Sequence, residues 1–280
     1  MKIIETIKEM QDYSNSLKKL GKSIAVVPTM GFLHEGHLSL VDIAKENADI
    51  VVLTNFVNPT QFAPHEDLAT YPRDFEQDCK LSESRGVDIV FHPKAEEMYP
   101  KDSSTWVEET QLSEGLCSVT RPIFFRGVVT IVTKLFNAVL PDIAVFGQKD
   151  AQQCLIIKRM VRDLNFPIKI IIGDIVREAD GLAMSSRNKY LTKSERTRAL
   201  SIYKSLIAAK EEILLGEKNI LTIESKIRKS IENENGKIDY IEIRDTKNLS
   251  KLNEVNGETL IAIAAFFGKT RLIDNIIIEA

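Results

Sequence analysis

Between Ser23 and Gly173 short apolar runs alternate with helical patterns. Ile24 to Val27, Ile50 to Leu53, Ile89 to Phe91, Ile143 to Phe146 and Ile168 to Ile172 read as strands, and Asp74 to Arg85, Val128 to Leu140 and Ala151 to Leu164 as helices. Strands that are apolar throughout are buried on both faces, as in a parallel sheet covered by helices on each side. The pattern therefore predicts an α/β fold with a doubly wound parallel sheet over residues 1–175. Gly86 falls where a helix from Asp74 needs a left-handed closing residue, and Pro167 follows the helix that ends near Leu164.

After about Ile175 the character changes. Helical runs Ser194 to Leu215 and Leu221 to Ile231 precede strand-like runs Tyr240 to Ile243, Leu260 to Phe267 and Ile273 to Ile278, which predicts a smaller α+β domain over 176–280. Glu232 to Gly236 reads as a surface turn, and no internal repeat or low-complexity tract interrupts the chain.

Charge narrows the partners. Lys and Arg total 37 against 40 Asp and Glu, a net charge of -3. This excludes a general basic surface for nucleic acid and a polybasic membrane arm, so any bound nucleotide would be small. Cys79, Cys117 and Cys154 lack C-x-x-C spacing and read as small core or surface residues in a reducing cytosol. Met1-Lys2-Ile3-Ile4-Glu5 has no secretory apolar region, and no run approaches the roughly 20 apolar residues of a spanning helix. A soluble, cytoplasmic protein is expected.

Candidate chemistry begins at His34-Glu35-Gly36-His37, behind the apolar run that ends in Pro28-Thr29-Met30-Gly31. A strand, a tight loop and a helix starting near His37 would offer open backbone N–H groups and a positive dipole end to a phosphate. Alone, the two histidines read equally as a metal pair, as helix capping or as catalysis. Gly36 and the preceding turn favour a phosphate cradle, and a metal lacks further ligands beyond Glu35. His65 and His92 fall in loops. Met184-Ser185-Ser186-Arg187 puts two hydroxyls before a guanidinium, a loop able to grip a triphosphate or an ordinary polar turn. Phe146-Gly147-Gln148-Lys149-Asp150 sets Lys149 at the carboxyl edge of the sheet, where ligands of such folds bind.

Val27-Pro28-Thr29-Met30-Gly31-Phe32-Leu33-His34-Glu35-Gly36-His37 closely resembles the signature of the pantothenate synthetases, or pantoate–beta-alanine ligases. Phe56-Val57-Asn58-Pro59-Thr60-Gln61-Phe62, Tyr71-Pro72-Arg73, Arg126-Gly127-Val128, Phe146 to Asp150 and Val176 to Asn188 match the same family in unbroken order. The resemblance implies a Rossmann-like sheet with the C-terminal domain as a lid over the ATP site. It implies a ligase that uses ATP to join (R)-pantoate to beta-alanine through a pantoyl adenylate, giving pantothenate, AMP and pyrophosphate. By that likeness Met30, Gly31, Phe32, Leu33, His34, Glu35, Gly36 and His37 bind ATP, with Gly147, Gln148, Lys149, Asp150, Val176, Met184, Ser185, Ser186 and Arg187. His37, His34 and Lys149 are the catalytic candidates. Gln61, Gln153 and Asn58 would hold pantoate and beta-alanine, and Asp78 matches a carboxylate near Mg2+. A homodimer is also implied.

The chemistry suits these types. A carboxylate attacking an α-phosphate needs positioning and cations rather than a protein nucleophile, and neutral glutamines can fix pantoate without quenching that carboxylate. Two departures bear on pantoate. Ile123-Phe124-Phe125 stands where the family often carries a histidine, and Asn55 is polar where an aliphatic residue is usual. The remaining alternatives are a nucleotidyl-transferring relative that uses another acid, and a nucleotide sensor without turnover.

Overall fold

The computed structural model describes residues 1–63 and 66–279, so the loop expectation for His65 lies outside the described residues. The chain divides into two compact units, Met1–Gly147 with Ile156–Asp174, and Gln148–Leu155 with Ile175–Ala280.

The first unit is built on β1 (Lys2–Ile4), β2 (Ile24–Thr29), β3 (Ile50–Asn55), β4 (Ile89–Phe91), β5 (Ile143–Gly147) and β6 (Lys169–Gly173). Among the described residues these strands pair in the order β1-β4-β3-β2-β5-β6, every pairing parallel. The connections carry α1 (Ile7–Lys19), α2 (Glu35–Asn47), α3 (Phe75–Ser84), the short α4 (Ala95–Met98) and α5 (Cys117–Thr120), α6 (Phe124–Val139) and α7 (Ala151–Asp163). Ile24, Ala25, Val26 and Val27 of β2 are fully buried, as a strand covered on both faces must be. From α2, Leu38, Leu40, Val41 and Ala44 join Val27, Leu53 and Val145 in one cluster. Each such leucine contributes at most about 1.5–3 kcal/mol by burial.

The strand order reverses between β2 and β5, where a doubly wound sheet opens its ligand crevice outside the carboxyl ends of the strands. β2 delivers the chain into the histidine loop, and β5 into Gln148. The doubly wound sheet expected from the apolar runs is thus present. Gly86, at φ +75°, closes α3 as expected.

The expectation missed the first strand and helix. β1 has only three residues and sits at the sheet edge, pairing Ile4 with Phe91. α1 buries Met10, Ser14 and Leu17 in an otherwise polar stretch, with Thr6 capping the Glu9 N–H at 3.3 Å. The Val128 helix begins four residues earlier, at Phe124, with Gly127 inside it.

The second unit packs α8 (Lys193–Leu214) and α9 (Ile220–Asn233) with an antiparallel sheet ordered β7 (Lys237–Asp245), β8 (Glu258–Phe267), β9 (Thr270–Glu279). Thr192 and Glu195 form a capping box at the start of α8, which locates that end from sequence alone. Ile202, Leu206, Ile227, Ile231, Ile261, Ile263 and Phe267 lie in its core. Cys117 and Cys154 are buried and Cys79 is half-buried. Among the described residues no helix is long and apolar enough to cross a membrane.

Candidate active site

His34 is the N-cap of α2, which therefore starts at Glu35 rather than near His37. Its Nδ1 takes the acceptor role that Ser, Thr, Asp or Asn usually fills, receiving the Gly36 N–H at 3.1 Å. His37 Nδ1 in turn accepts the His34 N–H at 3.4 Å, and the two ring centroids lie 4.1 Å apart. With both Nδ1 atoms accepting, each neutral ring carries its proton on Nε2. Capping and catalysis, separate readings in the sequence, are compatible here: the cap fixes the tautomer.

The expected cradle of open N–H groups requires correction. Gly31 donates to Thr29 Oγ1 at 3.1 Å, Phe32 to Asp78 Oδ2 and Leu33 to Asp78 Oδ1 at 2.8 Å each, while His34 and Gly36 donate to the imidazoles. These donors are held by the protein. Glu35 turns to Arg85, which also grips Asp42 at 2.7 Å, and so is not a partner of the histidines.

Asp78, on α3, is buried and receives a third donor, Asn55 Nδ2, at 2.8 Å. A carboxylate engaged by three protein donors does not fit a magnesium ligand; Asp78 instead fixes the backbone between Gly31 and His34. Among the described residues no group of three or more His, Cys, Asp or Glu is placed to hold a metal ion. Asn55, out of place on an aliphatic pattern, is explained by this buried network. Gly31 has φ +78°, and a Cβ there would lie 2.6 Å from Asn55 Oδ1 and 2.8 Å from Asp78 Oδ2, so only glycine fits over that floor.

Gln61 closes a one-turn 3-10 helix, Pro59–Gln61. Its Nε2 donates to Met30 Sδ at 3.0 Å and its Oε1 accepts from Asn58 Nδ2 at 3.1 Å, so it lies beside the histidine loop with its amide oriented. Asn58, expected to hold substrate, is the partner of Gln61 in this turn. It is buried, donates to Gln61 and to the Gly127 carbonyl, and accepts from Thr60 and the Tyr99 hydroxyl. Both amide N–H groups and the amide oxygen are thus engaged within the protein. Gly127 explains its own motif: a Cβ would come 2.6 Å from the Thr60 carbonyl and 2.8 Å from the Gln61 nitrogen. The backbone of α6 packs directly on the turn that carries Gln61. Where the family histidine is missing, Arg121 stacks 3.8 Å over Phe124 and donates to the Gln61 carbonyl at 3.2 Å and to Glu66.

In the second unit, Lys149 lies in the turn Gln148–Asp150, its ammonium 3.0 Å from Asp150. Gln153 is partly buried in the first turn of α7. Val176 accepts from the Met184 N–H at 3.0 Å and Glu178 donates to Leu182, so residues 176–184 form a small hairpin turned by Gly181 at φ +99°. The chain then continues into Ser185, whose hydroxyl caps the turn Ser186–Tyr190 by accepting the Arg187 N–H at 3.3 Å. Sequence reasoning missed Asp274 and Asn275, consecutive buried polar residues on β9. Asn275 binds the carbonyls of Gln148 and Lys149, and Asp274 pairs with Arg177 at the hairpin. The signal was present as two polar residues inside the apolar run Leu272 to Ile278.

Comparison with known proteins follows the same lines. The family model described as pantoate-beta-alanine ligase matches residues 2–277. A pantothenate synthetase from Thermotoga petrophila is 54% identical over 279 residues, covering 99% of this chain and all of its own, and one from Fervidobacterium nodosum is 52% identical over the full length of both. Pantothenate synthetase from Thermus thermophilus superposes with a TM-score of 0.93 at 39% identity, covering 99% of each chain. Pantoate-beta-alanine ligase from Francisella tularensis, solved with beta-gamma ATP and beta-alanine, superposes with a TM-score of 0.80 at 36% identity, over 99% of this chain and 97% of its own. Matched from end to end in sequence and in fold, the chain belongs to the pantoate-beta-alanine ligase family.

Proposed function

We propose that this chain uses ATP to condense (R)-pantoate with beta-alanine through a pantoyl adenylate, giving pantothenate, AMP and pyrophosphate. The observation that carries this reading is the end-to-end family match, with the histidine loop, Gln61, Lys149 and the Ser185-Ser186-Arg187 run all present in the sequence. Pantoate's carboxylate attacks the α-phosphate and pyrophosphate leaves; the amine of beta-alanine then attacks the acyl carbon and AMP leaves. The substrates supply both nucleophiles, so the protein's part is positioning and charge stabilisation.

His34 and His37 donate from Nε2 to phosphate oxygens, Lys149 and Arg187 add positive charge, and Ser185 and Ser186 add hydroxyl donors. Gly147, Gln148, Asp150, Val176 and Met184 complete the nucleotide's surroundings. Gln61, with one N–H and one oxygen lone pair beyond those engaged by Met30 and Asn58, takes a pantoate hydroxyl, and Gln153 takes the carboxylate end. Asn58 serves by holding Gln61. A magnesium ion accompanying the nucleotide would not find a ligand in Asp78, which is engaged by three protein donors.

Pyrophosphate release should require ATP and pantoate together, and pantothenate should appear only when beta-alanine is added. Release with other acids but not with pantoate would move the chain to a different acid substrate; none with any acid would make it a nucleotide sensor. For Asp78→Asn, one amide N–H group must face backbone donors, and a stability loss of about 1–3 kcal/mol is expected. Turnover should fall, with the half-saturating magnesium concentration unchanged. Normal stability with a raised magnesium requirement would restore Asp78 as a metal ligand. The family resemblance also supports a cytoplasmic homodimer, which light scattering checks against the chain's 31.6 kDa.

A further inference from the structure

β9 ends in a run of isoleucines, yet Asp274 and Asn275 interrupt it and both are nearly fully buried. Buried polar side chains in a strand cost free energy unless every group is satisfied, so a role in strand packing alone would favour aliphatic residues. Both residues are satisfied, and by segments of one kind. Asn275 Nδ2 donates to the carbonyls of Gln148 and Lys149, each at 3.0 Å, which uses both of its N–H groups. Its Oδ1 accepts from Gln148 Nε2 at 3.3 Å. Its own backbone N–H goes to Asp274 Oδ1 at 2.8 Å.

Asp274 is itself clamped. Arg177 meets it with two contacts, 2.6 Å and 2.9 Å, and donates to the Gly181 carbonyl at 3.1 Å while lying 4.0 Å over the Tyr203 ring. Asn275 therefore does not float on a flexible strand. It is seated by a bidentate ion pair and grips the carbonyls of the two successive peptide units that flank the Lys149 Cα. Carbonyls are fixed at two successive residues, which leaves little rotation of the backbone from which the ammonium extends.

We propose that Asn275 is a positioning residue for Lys149 in adenylyl transfer, an inference that rests on the function proposed above. It touches no reacting atom; it sets where the Lys149 charge stands when the α-phosphate is attacked. A misplacement of such a group by about 1 Å can cost about 10²-fold in rate.

The test is a double-mutant cycle between Asn275→Asp and Lys149→Ala, read as kcat for pantoate-dependent pyrophosphate release. Asn275→Asp keeps the shape, removes both N–H donors and turns a carboxylate toward two carbonyl oxygens. Alone it should lower kcat by about 10- to 100-fold. In the Lys149→Ala background it should lower kcat by less than about 3-fold, because there is no ammonium left to misplace. Losses that multiply in full, or a single variant with normal kcat, would overturn the inference by showing a role in stability only or none. Asn275→Ser, which retains one donor, repeats the cycle if the aspartate variant does not fold, with the same two readings. Activity of the unsubstituted enzyme in the same assay separates the two levels. Its absence would defeat the proposed function, whereas its presence with multiplying losses would defeat the role of Asn275 alone.

Discussion

Lys149→Ala is expected to lower turnover by roughly 10²- to 10³-fold while barely shifting the melting temperature. The two halves of that expectation come from different observations. The ammonium's ion pair with Asp150, at 3.0 Å, joins side chains that are 24% and 41% exposed, and pairs of that kind contribute about 0–1 kcal/mol to folding. Folding therefore hardly notices the loss. The reaction does, because a carboxylate approaching a phosphate builds negative charge that only fixed cations and donors can offset. Removing one such preorganised group costs about 2.7–4 kcal/mol of transition-state stabilisation. The loss should fall mainly on kcat, with a smaller rise in KM for ATP, since charge on the phosphate grows as the reaction proceeds. An unchanged kcat would place Lys149 outside the reacting centre.

At His37 an equally large effect is expected, at least about 10²-fold, and asparagine is a sharper replacement than alanine. His37 Nδ1 receives the His34 N–H, so alanine removes a cap partner and a donor together. Asparagine can still accept that N–H through its side-chain oxygen but offers nothing at the position of Nε2. Both variants should lose turnover alike, while the alanine variant alone should lose about 0.5–2 kcal/mol of stability. Normal turnover in His37→Asn would reduce His37 to a capping residue.

The sheet was legible because its strands are apolar throughout, and Ile24 to Val27 can be placed without knowing any neighbour. β1 was not, since three residues at an edge carry too little pattern, and α1 hides a thin apolar stripe in a polar stretch. The site divides in the same way. The residues proposed to meet a substrate announce themselves by type and spacing, as His34, His37 and Gln61 do. Residues that hold those in place do not, because their reason lies in contacts distant along the chain. Asp78 receives its donors from residues more than 20 positions away, and Gly127 is required only because the Thr60 carbonyl lies against it. The motif locates Asn58, but nothing local shows that its amide is saturated from within.

The loop between Thr29 and Glu35 arrives finished. Ordering a backbone costs about 1–2 kcal/mol per residue, and here folding has already met that cost with Asp78, Thr29 and the two imidazoles as acceptors. If a nucleotide binds there as proposed, its binding free energy is not diverted into building its own receptor. The same completeness sets a rule for inhibitors. Acceptors aimed at the backbone of this loop would compete with an internal carboxylate and gain little, while those that reach the outer edges of the imidazole rings would meet donors whose tautomer the helix cap has already chosen.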